Sequence, residues 1–232
     1  MDNTRRPFIE HLEELRRRIL LSAGAVLIFS AAAFFFHGTL LELLRRPIDA
    51  GLVFISPQEA FVVTFKVSVL VGALVASPFI TWQVWKFVGE ALNRKEKRFI
   101  LTYAPAAFLL FAAGASFGFF IVLPEGLRFL LGFGSAVLEP MITVDRYVSF
   151  IFLIVAVFGI TFQIPLVMRA VSSAGLVDKK TLASGRAYAI ILIFTFSALL
   201  TPPDVFTQVA LAVPVIILYE AGILVARKSP ET

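Results

Sequence analysis

Long runs of apolar residues, separated by short polar segments, make up most of the chain. Six runs have the composition of a membrane span, and they cover residues 19–36, 61–85, 99–123, 147–171, 187–200 and 206–225. About 20 apolar residues in a helix cross the hydrocarbon core of a bilayer. The pattern therefore predicts an all-α membrane protein with six transmembrane helices, in a single domain over residues 1–232.

The fifth run is too short to cross a bilayer of ordinary thickness. It has 14 residues, from Ala187 to Leu200, which give about 21 Å of helix against a hydrocarbon core of about 30 Å. The two prolines of the following turn, at 201–204, prevent the helix from continuing. We therefore expect helices five and six to be short and to form a hairpin, giving a concave, cupped bundle.

The composition argues against a soluble protein. Of the 232 residues, 59% are hydrophobic and 16% are charged, whereas soluble domains carry about 25% charged residues. A soluble enzyme or a nucleic-acid-binding domain is therefore not expected. The chain has no cysteine, which excludes disulfide bonds and cysteine-ligated metal sites.

The uneven distribution of lysines and arginines predicts the orientation. Sixteen of the 21 lie near the two ends or in the second and fourth loops, against four in the first, third and fifth loops. Cytoplasmic loops carry the excess of positive charge. Both termini are therefore expected in the cytoplasm, and the bilayer, rather than a nucleic acid, explains the net charge of +5.

The sequence offers little for catalysis. It contains neither G-x-x-x-x-G-K-[ST] nor H-E-x-x-H, so ATP hydrolysis at a P-loop and zinc proteolysis have no motif. His11 and His37 fall on opposite sides of the predicted membrane and cannot share a metal ion, and His11 is expected on a helix surface. We expect no enzyme activity, no catalytic residue, no cofactor and no metal site.

Polar residues inside the predicted spans are few, and each has two interpretations. Gln163 either makes a hydrogen bond between helices or serves the function, because polar groups in a membrane need partners. Glu220 is either functional or an interfacial carboxylate paired with a basic residue of the tail, such as Arg227. Gly114 and Gly118 form a G-x-x-x-G pattern that predicts close helix packing.

Acidic residues on the cytoplasmic side stand in strongly basic surroundings. Glu13 and Glu14 precede the arginines at 16–18, and Glu96 lies within the basic segment 94–98. These acids either form local i,i+4 ion pairs on solvated helices or present carboxylates to a cationic ligand. Arginine would suit such a site, because its planar fork binds carboxylates in a bidentate manner.

Five segments together resemble the TatC family, the multispanning subunits of the twin-arginine protein translocase. In chain order they are HLEELRRR at 11–18, SP at 77–78, QVWKF at 83–87 with AL at 91–92, FG at 158–159 with Gln163 and Pro165, and LTPPDVFTQ at 200–208 followed by Pro214 and Glu220. The resemblance implies a receptor in the cytoplasmic (inner) membrane that binds Arg-Arg signal peptides and exports folded proteins. It also implies the proton motive force as energy source, self-association, and TatA-like and TatB-like single-span partners.

The resemblance assigns residues to the signal-peptide site and to partner docking. Glu14 and Glu96 would bind the two arginines, Phe87 and Leu92 would shape the site, and the flanking Arg16 and Arg18 would keep the acids ionised. The residues implied in partner docking or as intramembrane polar groups are Gln163, Pro202, Asp204, Gln208 and Glu220, and Pro47 would shape the first outer loop.

Two positions depart from the family pattern. Gln163 stands where the family often has Glu, and a glutamine cannot carry a titrating proton. Glu90 stands where the family often has Pro, which adds a third acid near the proposed site. A small-molecule or ion permease remains the main alternative function, although such transporters usually show internal repeats and midplane polar sites, and an intramembrane enzyme is a further one.

Overall fold

The chain folds almost entirely into helices. The computed structural model describes residues 5–48, 51–91, 97–132, 141–200 and 205–227. Within these residues the α-helices are α1 (Arg5–Phe34), α2 (His37–Arg45), α3 (Pro57–Ala91), α4 (Lys97–Phe117), α5 (Leu123–Gly132), α6 (Val144–Thr161), α7 (Ile164–Ser173), α8 (Lys179–Ser184), α9 (Arg186–Leu200) and α10 (Val205–Val225). The predicted all-α class is confirmed.

The predicted spans all correspond to apolar helices. The helical stretches long and apolar enough to cross a membrane are His11–Phe34, Pro57–Gly89, Thr102–Gly132, Val144–Ser173 and Thr207–Val225. A sixth apolar helix, Arg186–Leu199, is shorter and coincides with the predicted fifth span. The helices extend beyond the predicted runs at several ends, because helical hydrogen bonding continues through polar residues that the hydropathy pattern excludes.

Helix α9, which corresponds to the predicted fifth span, is short as expected, whereas α10, the sixth, is not. Helix α9 has 15 residues, or about 22 Å, less than the hydrocarbon core of about 30 Å. Helix α10 has 21 residues, or about 31 Å, so the prediction of a short sixth helix is wrong in length. The turn at 201–204, which was expected to form the hairpin tip, lies outside the described residues.

One compact unit takes in the described residues up to Arg45 and those from Phe54 to Leu109. In it α1 packs along α3, and the paired positions run in opposite directions along the two helices. The helices approach most closely at Gly72, where an added Cβ would lie 2.7 Å from the Cα of Ser30. Only a glycine allows this approach. Ala76, one turn further along the same face of α3, is buried, and Val63, Val67 and Leu70 are buried on the opposite face.

A second compact unit takes in Arg46–Val53 and the described residues from Leu110 onward. Gly114 lies against α6, and a Cβ there would lie 2.7 Å from Cγ of Phe162. Gly118 also meets α6, at Ile154 and the fully buried Phe158. The close packing predicted from the G-x-x-x-G pattern is confirmed.

Prolines accompany irregular points in the helices of the third and fourth spans. The fourth span divides into α6 and α7 at Phe162 and Gln163, because Pro165 at the start of α7 has no N–H and its ring would clash with the carbonyl four residues earlier. The third span passes through a π-helical segment, Gly118–Val122, directly before Pro124 and then continues as α5. The wider π turn accommodates the proline without ending the helix.

The loops that follow the first and third predicted spans contain structure that hydropathy did not predict. Strand β1 (Leu52–Val53) pairs in parallel with β2 (Ile142–Thr143), so that Leu52 lies opposite Ile142. Pro47 lies half-buried in the turn that follows α2. This position is compatible with the loop-shaping role that the resemblance implies for Pro47.

Candidate functional site

An open cleft of about 500 Å³ lies between α1 and α3. Its lining is strongly charged and consists of Glu13, Glu14, Arg17, Arg18, Leu21, Gln83 and Lys86. Helix α1 continues without a break from the apolar span into this charged segment. Residues 11, 14 and 18 therefore fall on one face of α1, at i, i+3 and i+7 spacing, and this face meets α3.

Glu14 and Arg18 form an ion pair at the centre of the cleft. Arg18 Nε donates to Glu14 Oε1 at 2.9 Å, and Arg18 Nη2 donates to the same oxygen. Arg18 Nη1 donates to Oε1 of Gln83 on α3 at 3.1 Å. The Arg18 side chain is only 8% exposed and that of Glu14 is 29% exposed, so Glu14 is the more accessible partner of the pair.

An aromatic pair lies one to two helical turns from the ion pair. The rings of His11 on α1 and Phe87 on α3 are stacked, with centroids 4.3 Å apart and an angle of 20° between their planes. His11 is therefore packed between helices and is not the plain surface residue that was predicted. Both residues are half-buried.

The structure brings together some of the residues assigned to the signal-peptide site. Glu14, Arg18 and Phe87 lie along the α1–α3 contact, whereas Arg16 is exposed. Leu92 and Glu96 lie outside the described residues.

Gln83 and His11 also contact the residues of this site, but the sequence did not assign them to it. Both stand in segments that carry the family resemblance, at 83–87 and 11–18. That position in the motifs was the signal that could have identified them.

The polar residues of the second unit make specific contacts. Gln208 Nε2 on α10 donates to the carbonyl oxygen of Phe194 on α9 at 3.0 Å. Beside it, an open and mainly apolar groove of about 630 Å³ is lined by Ile190, Ile191, Phe194, Thr195, Ala198, Leu199 and Gln208. Pro202 and Asp204, also assigned to partner docking, lie outside the described residues.

Glu220 on α10 is held by Arg186, the first residue of α9. Arg186 Nε donates to Glu220 Oε1 at 2.7 Å, and Arg186 Nη2 donates to Oε2 at 2.9 Å. The predicted partner in the tail is therefore wrong. The reason is that α9 and α10 are antiparallel neighbours, so the first turn of α9 lies beside the last turns of α10.

Gln163 occupies the break between α6 and α7. Its backbone N–H donates to the carbonyl of Ile160 at 3.0 Å, and its carbonyl accepts from the N–H of Val167 at 2.9 Å. The residue is half-buried. It therefore sits at the point where the helical path changes.

The segment 114–118, GASFG, matches the nucleophile pattern G-x-S-x-G. In hydrolases this pattern forms a sharp turn from a strand to a helix. Here Ser116 is an exposed residue within α4, in a stretch apolar enough to cross a membrane. The two glycines are therefore explained by helix packing, and the match to the hydrolase pattern is coincidental.

Comparisons with known proteins identify the family. The family model described as Sec-independent protein translocase protein (TatC) matches residues 10–214. The TatC protein of Aquifex aeolicus is 41% identical over 228 residues, 95% of this chain and 95% of the relative. That of Carboxydothermus hydrogenoformans is 38% identical over 231 residues, 98% of this chain and 95% of the relative.

Solved structures agree with the sequence relatives. A crystal structure of the twin arginine translocase receptor TatC is 40% identical, covers 93% of this chain and 97% of its own, and superposes with a TM-score of 0.84. A second, of the same receptor in the detergent DDM, covers 94% and 99% with a TM-score of 0.86. The chain therefore belongs to the TatC family of Sec-independent protein translocase proteins.

Proposed function

We propose that this chain is the receptor subunit of a twin-arginine translocase, which binds Arg-Arg signal peptides in the α1–α3 cleft and nucleates the complex that exports folded proteins. The observation that carries the proposal is the Glu14 carboxylate. It belongs to a partly exposed side chain that lines the cleft, and it already accepts two N–H bonds from a guanidinium. Its surroundings therefore suit the binding of an arginine side chain.

The chemistry of the cleft favours arginine over other cations. A guanidinium offers several N–H donors in a planar fork, whereas a lysine ammonium is a point charge. Glu96 would bind the second arginine of the pair. The Phe87 ring, stacked on His11, together with Leu92 would provide an apolar surface for the residues next to the arginines.

The charge distribution supports a cytoplasmic position for this cleft. The segments on its side of the membrane carry 16 lysines and arginines, against four on the other side. Both termini would then lie in the cytoplasm, and the protein would span the cytoplasmic (inner) membrane. Signal peptides reach the receptor from the same compartment.

The α9–α10 hairpin is the proposed docking region for TatA-like and TatB-like single-span partners. Helix α9 is short, and large apolar side chains along it are exposed, including Ile191, Phe196 and Leu199. Gln208 and Asp204 would supply polar contacts to the partners, with Pro202 belonging to the same proposed docking region, and Gln163 and Glu220 would supply further polar contacts. Export by the assembled complex, in which several copies self-associate, would be driven by the proton motive force.

Crosslinking of an Arg-Arg signal peptide to the full chain in lipid nanodiscs tests the proposal. Glu14→Ala and Glu96→Ala should each reduce crosslinking, and the double variant should abolish it. Glu125→Ala is the control, because Glu125 is an exposed acid of α5 paired only locally with Arg128 at 2.8 Å. Full crosslinking to the double variant would sink the assignment of these two acids.

A further inference from the structure

Arg18 is bound to the carboxylate of Glu14, the group to which we assign a signal-peptide arginine. Its Nε and Nη2 both donate to Glu14 Oε1. Glu14 therefore holds, within the chain itself, the same chemical group that a signal peptide would present. We infer that Arg18 is an internal place-holder, and that signal-peptide binding exchanges one guanidinium for another at Glu14. The inference rests on the proposed function and deepens it.

The two partners of the ion pair differ in burial, and this difference determines which of them a ligand can reach. Arg18 is 8% exposed, and Glu14 is 29% exposed. An incoming guanidinium can therefore reach the exposed part of the Glu14 side chain, whereas Arg18 is almost fully buried. Arg18 does not have to leave the protein; only its contact with Glu14 has to be given up.

Gln83 makes this release feasible. A buried cation that loses its carboxylate and finds no other acceptor is strongly destabilising. Arg18 Nη1 already donates to Gln83 Oε1 at 3.1 Å, so Arg18 keeps this acceptor after the exchange. A neutral amide holds a guanidinium less tightly than a carboxylate does, and Arg18 therefore continues to compete for Glu14.

The internal competitor sets an affinity threshold. Competition at Glu14 lowers the affinity for every cationic ligand by the same factor. The ratio of the Kd values for lysine and arginine ligands is unchanged. The weaker, lysine ligand nevertheless no longer binds at the concentrations at which the arginine ligand still does. Arg18 thus sets the affinity threshold for all cationic ligands without changing their relative affinities, whereas Glu14 makes the contact.

The test measures binding of fluorescent Arg-Arg and Lys-Lys signal peptides to the full chain in nanodiscs at fixed salt. Arg18→Gln should tighten the Kd of both peptides about two- to fivefold, the range of an ion pair with one partly exposed partner, and leave the ratio of the two Kd values unchanged. Arg18→Lys should give a smaller gain and guards against misfolding of the first variant. Gln83→Leu should weaken binding in the parent chain and have no effect in the Arg18→Gln background.

Arg17→Gln is the matched control, since it removes the same charge from an exposed neighbour in the same cleft. An equal gain in that variant would assign the effect to long-range charge and overturn the place-holder. Unchanged or weaker binding in both Arg18 variants, together with reduced binding in Glu14→Gln, would overturn it while leaving the proposed function standing. Full binding in Glu14→Gln would overturn both.

Discussion

Gly72→Ala is expected to separate α1 from α3 and to weaken the whole first unit. The added Cβ would lie 2.7 Å from the Cα of Ser30 and closer still to its backbone N and its Oγ. Carbon atoms in contact are normally about 3.5–4.0 Å apart. Because the obstacle is backbone, no side-chain rotation relieves it, and α1 has to move by about 1 Å.

The cost follows from this displacement. Overpacking of this kind costs about 1–3 kcal/mol. Since α1 is one continuous helix, the shift is transmitted over about 18 Å to Arg18. There the 3.1 Å hydrogen bond from Arg18 to Gln83 would stretch past its useful range. Peptide affinity should fall about two- to tenfold along with stability.

Unfolding in mixed micelles, followed by tryptophan fluorescence, measures the effect, because Trp82 and Trp85 both lie on α3. Gly24→Ala is the matched control, since a Cβ at that position of α1 meets nothing within 4 Å. The control should be neutral or slightly stabilising. Equal unfolding free energies for the Gly72→Ala and Gly24→Ala proteins would refute the close-contact reasoning.

Three further predictions concern the second unit. A double-mutant cycle on Arg186 and Glu220 should give a coupling of about 0.2–1 kcal/mol, since both side chains are substantially exposed, and a value indistinguishable from zero would contradict the bidentate pair. Gln208→Leu should remove the bond to the Phe194 carbonyl at a cost of about 0.5–1.5 kcal/mol and raise hydrogen exchange in α9, whereas unchanged exchange would count against it. Pro165→Ala should let the fourth span continue as one helix; spin-label distances between the ends of α6 and α7 that stay the same would show that another feature bends it.

The membrane architecture could be predicted from the sequence because the bilayer imposes one dominant constraint. A span must be apolar over a defined length, so all six apolar runs correspond to helices, and the 15 residues of α9 preserve the short fifth run. The parallel pair of Leu52 and Ile142 could not be predicted. Two-residue strands have no periodicity, and their partners lie far apart in the sequence.

The site was only partly predictable for a related reason. The i,i+4 spacing of Glu14 and Arg18 is local, and the ion pair follows from helix geometry. The contact of Arg18 with Gln83 joins residues 65 positions apart and depends on how α1 crosses α3. To predict the bond between Arg186 and Glu220, one would likewise have to know which helix ends are neighbours.

The claim that Glu14 binds a signal-peptide arginine can be tested by solid-state NMR. An Arg-Arg peptide with ¹⁵N in its guanidinium groups would be bound to the full chain carrying ¹³C-labelled glutamate carboxyl groups. Dipolar recoupling should detect a contact of about 4 Å or less, and Glu14→Gln should remove it or reduce it to that of the second acid. A bound peptide whose ¹⁵N signals show the same carboxyl contacts in the parent chain and in Glu14→Gln would contradict recognition at this site.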